Sequence, residues 1–379
     1  MPMPVFMDRT RLSPAHLPKR LLHREKEFSL LRKFLEAGVE RGDDVFYSRV
    51  QVVGPVGAGK TTLCLMAGQE MQRKHRNLTH AYVNLRRFTS SKVSIYRYLV
   101  KSVAEEAYSV SLSAEELLEN LLHFLKNTGQ RLIITFDDAD YHVSMSRGRE
   151  TVVYDFTRLH EFSSVRPLNV LGVVFVSRES GYGGYLDRAE TSSLGASVLR
   201  LEPYTREQLI DILADRVSEA FVRGAVPDNV VEYVADVVSK PPYSGDVRLA
   251  LDLLLYAGNL AENDGRDVVK VDDVRYALSE TISVSRAAEY ADLPEKPKAV
   301  LLSIAKVLQR RDEQTAELKE IREMFSLFCE SHGLSESGFD KALSYLAERG
   351  YVEKHGDKVG LVGVDARRLS LLLEQSLKR

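Results

Sequence analysis

Between residues 50 and 203, short apolar runs alternate with longer amphipathic stretches. Apolar runs at 50–53, 81–85, 132–136, 170–176 and 198–201 predict strands. Segments 60–74, 94–108, 114–126 and 149–161 predict helices between them. Strands separated by helices of this length make βαβ units and a parallel sheet. After Pro203 the strand signals stop. Thr205 is placed to cap a helix over 206–219, with Leu209, Ile212, Leu213 and Val217 on one face. A second helical pattern opens at Asp246, and a short one covers 271–279. A third pattern begins near Glu295, with helices over 297–310 and 318–332. Ser335 is read as the cap of the next helix, whose Phe339, Ala342, Leu343 and Leu346 repeat at helical spacing. Residues 351–362 read as two strands around Gly356-Asp357, and 366–377 as a last helix. Three helices and a hairpin make a winged helix-turn-helix. The expectation is an α/β parallel-sheet domain over 1–202, a helical lid over 203–288 and a winged-helix domain over 289–379.

Charge and cysteine usage narrow the setting. The net charge is −2 with 28% charged residues, so the surface is mixed and any nucleic-acid contact must come from local patches. From 291 to 379 there are 15 Lys/Arg and 15 Asp/Glu, so the winged-helix unit is itself neutral. Cys64 and Cys329 are the two cysteines, far apart, which argues against a disulfide framework or a zinc site. No apolar run approaches 18 residues, and the start Met1-Pro2-Met3-Pro4 lacks a signal-peptide core. A cytoplasmic protein with no membrane role is expected.

The chemistry is carried first by Gly54-Pro55-Val56-Gly57-Ala58-Gly59-Lys60-Thr61, which fits G-x-x-x-x-G-K-[ST]. It lies between a predicted strand and a predicted helix, where backbone N–H groups can face phosphate oxygens. Gly57, Ala58, Gly59, Lys60, Thr61 and Thr62 are the expected phosphate-binding residues. Lys60 supplies a point charge for the β- and γ-phosphates, and Thr61 a hydroxyl for Mg²⁺. A second element, Leu132-Ile133-Ile134-Thr135-Phe136-Asp137-Asp138, ends a strand in two acids. Asp137 is expected to reach Mg²⁺ directly or through water, and Asp138 to orient an attacking water as base. ATP or ADP with Mg²⁺ is therefore the expected cofactor set.

These residues resemble those of an AAA+ ATPase, and more narrowly of an archaeal origin-recognition/Cdc-type replication initiator. Leu22-His23-Arg24-Glu25 is similar to the family's opening box, Asp137-Asp138-Ala139-Asp140 to its second acidic box, and the run from Glu202-Pro203-Tyr204-Thr205 to Leu213 to its "PYt" box. Gly245-Asp246-Val247-Arg248-Leu249-Ala250-Leu251 resembles its "GD-x-R-x-AL" box. The resemblance implies that His23, Arg24 and Tyr204 lie near the adenine, and that Arg248 is a second sensor reading the γ-phosphate. It also implies double-stranded origin DNA as partner, with paralogous initiators and the replicative helicase as further partners.

Three positions depart from the family pattern. The second acid is Asp138 where Glu is usual. Val176-Ser177-Arg178-Glu179 stands where the first sensor Asn is usual, and Ala189 falls at the place of the arginine finger, with Arg188 one position earlier. Tight nucleotide binding with slow hydrolysis is the expectation: a weak ATPase used as a switch.

Two regions are candidates for DNA. The winged helix offers Ser337, Lys341, Ser344 and Tyr345 on its third helix, with Lys354, His355 and Lys358 on the wing. The stretch 141–162 offers Arg147, Arg149 and Arg158. The reading is an ATP-binding initiator that recognises origin duplex. The alternative is an AAA-like nucleotide switch whose winged helix binds protein.

Overall fold

In the computed structural model the described residues are 4–41, 47–88, 91–146, 151–178, 180, 182, 186, 188–194, 197–291, 293–311, 315–362, 364 and 366–377. Two units are seen, Leu17–Tyr204 and Thr205–Arg379, the second joined by the chain up to His16.

The first unit is built on β1 (Ser48–Val53), β2 (Leu78–Asn84), β3 (Arg131–Asp137), β4 (Val170–Ser177) and β5 (Val198–Arg200). Their order is β2-β3-β4-β1-β5 and every pairing is parallel. All five expected strands are present. The β3 and β4 runs are continuously apolar because both faces are covered. Leu132, Ile134, Phe136, Val173 and Phe175 pack one way, with Tyr96, Leu117, Leu121 and Phe156. Ile133, Val174 and Val176 pack the other way, with Leu31, Leu63 and Met71. The helix Lys60–Lys74 appears where expected, and Ala114–Thr128 starts in a capping box of Ser113 and Glu116. The helix expected over 149–161 is instead two short ones, Val152–Thr157 and Leu159–Phe162, broken at Arg158. Thr151 caps the first by accepting from the Tyr154 N–H.

Four helices open the second unit: Arg206–Ala220, Asp228–Val238, Val247–Asn263 and Val271–Ala291. Thr205 and Gln208 form a capping box, and Asp246 accepts from the N–H groups of Arg248 and Leu249. The last helix runs twelve residues past the expected 279, since 280–291 holds no Gly or Pro to stop it. The N-terminal segment, expected with the first domain, packs here instead. Phe6 pairs with Phe221 in an isolated bridge and stacks on it at 4.6 Å, and the Val5 N–H donates to Glu262 at 3.0 Å. Apolar area at Phe6 is thus buried against Gly258, where any Cβ would clash with its ring.

The same unit ends in a winged helix: Glu295–Arg311, β6 (Thr315–Glu317), Leu318–His332, Phe339–Glu348, β7 (Val352–His355), β8 (Lys358–Leu361) and Ala366–Leu377. The expected hairpin is joined by β6, giving the order β6-β8-β7. Ser335 does not cap the third helix. Gly338, at φ 91°, precedes Phe339, and Ser335 Oγ accepts from Ser337 N instead.

Candidate functional site

β1 delivers the glycine loop to the C-terminal edge of the sheet, where β4 lies between β1 and β3. The Gly54 N–H donates to the Ser177 carbonyl at 3.3 Å, which ties the loop to the end of β4. Gly59 is in the left-handed region at φ 86° and opens the helix Lys60–Lys74. Only glycine fits there, since a Cβ would also stand 2.9 Å from the Tyr204 hydroxyl. Lys60, Thr61 and Thr62 form the helix's first turn, whose unpaired N–H groups favour anions. Ala58 is buried behind them.

Lys60 Nζ donates to the carbonyls of Gly54 and Pro55, each at 2.7 Å. Burial lowers its pKa, nearby Asp137, Asp140 and Asp138 oppose that, and the Arg178 charge adds to it. Thr61 Oγ1 donates to Asp137 Oδ2 at 2.6 Å. The two oxygen-bearing groups expected to serve magnesium are therefore brought together. A hydroxyl and a carboxylate are the hard donors such an ion takes, so the residues present fit it. Among the described residues no cluster of three His, Cys, Asp or Glu side chains offers a different metal site.

Asp137 is only 6% exposed. Its Oδ1 accepts from the Asp138 N–H at 2.9 Å, and its Oδ2 also accepts from the Tyr82 hydroxyl at 2.8 Å. Asp138 sits in the left-handed region at φ 57° without capping the following helix through its side chain. Instead Asn84 Nδ2 donates to its Oδ2 at 3.2 Å, and Arg86 Nε lies 4.0 Å away. Arg178, exposed at the end of β4, donates its N–H to Asp140 Oδ2 at 3.2 Å.

Arg24 is 3% exposed and joins three segments. Its Nε donates to the Ala58 carbonyl at 3.4 Å, its other nitrogen donates to the Glu202 carbonyl, and its guanidinium lies 4.0 Å from the Tyr204 ring centroid. Burial raises the Tyr204 pKa. His23, at φ 60°, precedes this residue and is half-buried. Arg24, Tyr204 and the loop are thus one assembly. Arg248 belongs to the other unit, exposed on the first turn of Val247–Asn263 beside Asp252, whose pKa burial raises.

On the winged helix, Lys341 and Ser344 are exposed on Phe339–Glu348 and Lys354 and Lys358 on the wing. Tyr345 is half-buried under the Arg349 guanidinium, 4.5 Å from its ring centroid. His355 pairs with Lys358 at the wing tip through the β7–β8 register. Ser337 is not on the helix but in the turn before it, where its carbonyl accepts from Lys296 Nζ at 2.6 Å. Arg147 and Arg149 lie outside the described residues. Arg158 is turned inward, donating to Ser193 Oγ at 3.2 Å.

Tyr82 and Asn84 were not anticipated from sequence. The signal was present: His80, Tyr82 and Asn84 are polar residues at period 2 within a strand of a buried parallel sheet.

The loop, acids and parallel sheet define a P-loop ATPase of the AAA class, and the family described as "AAA domain" matches residues 49–180. The family described as "Cdc6 AAA+ ATPase-type lid domain" matches 210–279. An ORC1-type DNA replication protein 1 of Sulfolobus acidocaldarius is 30% identical over 79% of this chain and 73% of its own. The chain belongs to the ORC1-type DNA replication proteins. The structure of the Aeropyrum pernix ORC1 protein in complex with DNA is 27% identical, covers 98% of this chain and 97% of its own, and superposes with a TM-score of 0.66. The fold is also shared with the Aeropyrum pernix ORC2 protein (ADPNP-ADP complexes), at 20% identity, TM-score 0.74 and coverage of 99% and 98%.

Proposed function

We propose that the chain is a replication initiator that binds origin duplex DNA and uses a slowly hydrolysed ATP as a switch. Nucleotide binding follows from the AAA domain and the loop, and the contact between Thr61 and Asp137 at 2.6 Å is the observation that carries the reading to magnesium. Thr61 and Asp137 would hold the ion, which would neutralise phosphate charge. Lys60 leaves its two loop carbonyls for the phosphates. Asp138 accepts the proton of the attacking water, from a carboxylate one methylene shorter than the family's usual Glu. Arg248 reads phosphate state, a role given by the resemblance. Duplex DNA as partner is supported by the similar Aeropyrum pernix ORC1 protein, whose structure is in complex with DNA, and the exposed Lys341, Lys354 and Lys358, with Tyr345, are the residues assigned to it. Paralogous initiators and the replicative helicase are the further partners, and the protein is nucleoid-associated.

Two variants test this directly. Lys60→Ala abolishes ATP binding in equilibrium titration, and full retained affinity sinks the nucleotide assignment. Combined Lys341, Lys354 and Lys358→Ala abolishes duplex retardation at low salt. Unchanged retardation moves the winged helix to protein contacts.

A further inference from the structure

β2 is an edge strand, yet it sends three polar side chains, two residues apart, across to β3. His80 Nε2 meets Thr135 Oγ1 at 2.9 Å, Tyr82 OH donates to Asp137 Oδ2 at 2.8 Å, and Asn84 Nδ2 donates to Asp138 Oδ2 at 3.2 Å. The register pairs Tyr82 with Thr135 and Asn84 with Asp137, so each side chain leans diagonally toward the C-terminal end of its neighbour. One strand therefore touches both acids of the site.

The Tyr82 contact has the larger consequence. Asp137 Oδ2 accepts from both Tyr82 and Thr61, while Oδ1 is taken by the Asp138 N–H. Three donors fix a buried carboxylate in one rotamer. Because the Thr61 proton is committed to Asp137, the lone pairs of Thr61 Oγ1 remain for a cation. Without the tyrosine hydroxyl, Oδ2 loses one of two donors and the carboxylate can turn, which releases Thr61 as well. Partners behind a metal ligand commonly set its orientation in this way.

We propose that Tyr82 is a positioning residue for the divalent cation: through Asp137 it presents the Thr61 hydroxyl as a metal ligand. The inference rests on the nucleotide reading above. Its test is a Mg²⁺ titration of the binding of a fluorescent ATP analogue to the full chain, for wild type, Tyr82→Phe, Thr61→Ala and the double variant. Tyr82→Phe is expected to raise the half-saturating Mg²⁺ about tenfold, within the 10–100-fold range typical of such partners. Affinity in EDTA is expected to stay within about twofold of wild type, as Lys60 and the loop are untouched. In the Thr61→Ala background the tyrosine change is expected to have no further effect on the Mg²⁺ requirement, whereas a merely structural role predicts the same added effect in both backgrounds. An unchanged Mg²⁺ midpoint in Tyr82→Phe overturns the inference and leaves the nucleotide reading standing. A wild type whose ATP binding ignores both Mg²⁺ and Lys60→Ala overturns the reading itself.

Discussion

The guanidinium of Arg24 lies 4.0 Å from the centroid of the Tyr204 ring, joining the segment ahead of the glycine loop to the segment that ends the α/β unit. The tyrosine hydroxyl in turn stands against Gly59. A desolvated cation–π pair contributes about 2 kcal/mol. Tyr204→Leu is therefore expected to lower unfolding stability by roughly 2 kcal/mol and to weaken ATP binding about tenfold, while Tyr204→Phe keeps most of both. Chemical denaturation and nucleotide titration check the pair of effects.

Asp138 is held by Asn84 at 3.2 Å, and it is proposed as the water-orienting base with a carboxylate one methylene short of a Glu. Misplacement near 1 Å costs about 100-fold in rate. Asp138→Glu is expected to raise single-turnover ATP hydrolysis at least about tenfold, and Asp138→Asn to abolish it. Equal rates for Asp138→Glu and wild type argue that hydrolysis is limited elsewhere.

Two buried histidines weaken the α/β unit in acid. Burial lowers the pKa of His80 and of His142 to about 4, against 6.5 unfolded. Each is neutral in the fold, so the folded state binds fewer protons than the unfolded chain between those values. Their contribution to stability is full above pH 6.5, is lost as pH drops toward 4, and is constant below. His142, wholly buried, accepts the Val152 N–H on Nε2 at 3.3 Å and cannot do so once protonated. Its share is roughly 3 kcal/mol. Melting temperature against pH is expected to lose much of this slope in His80→Gln/His142→Gln.

Packing behind the loop is as specific. A Cβ on Gly68 would stand 2.1 Å from His80 Nδ1. Gly68→Ala is expected to cost about 1–3 kcal/mol from overpacking. His80→Ala in the same chain is expected to return part of it, since the sites are in contact. Additive losses measured by denaturation would contradict that packing.

On DNA, Lys341, Lys354 and Lys358 are exposed on one helix and its wing. Each that meets a phosphate contributes close to −0.9 to the slope of log K against log salt. Removing one such lysine is expected to shallow the slope by about 0.9 and weaken binding across sequences alike. A slope unchanged in all three single variants excludes them as phosphate contacts.

Local signals were the legible ones. All five strands of the sheet follow from apolar runs, and those of β3 and β4 are continuous because strands covered on both faces need apolar sequence throughout. The loop and Asp137 announced their meeting, through Thr61 at 2.6 Å, by motif and chain position. What escaped depends on register and on distant packing. Tyr82 and Asn84 reach the acids only because β2 pairs with β3 in one register. The N-terminal segment pairs with Phe221, a contact over two hundred residues away that no local pattern encodes. Ser335 looked like a cap by residue type, but the turn Ser335–Gly338 places glycine at that position. Arg147 and Arg149 lie outside the described residues.

Nucleotide-dependent DNA recognition is tested most directly by footprinting the protein on its host's genomic DNA with ATP, with ADP, and in Lys60→Ala. Protection of discrete duplex sites is expected, with an extent that differs between ATP and ADP and a Lys60→Ala pattern indifferent to nucleotide. No protection at low salt, or identical footprints under all three conditions, would contradict a nucleotide-controlled initiator.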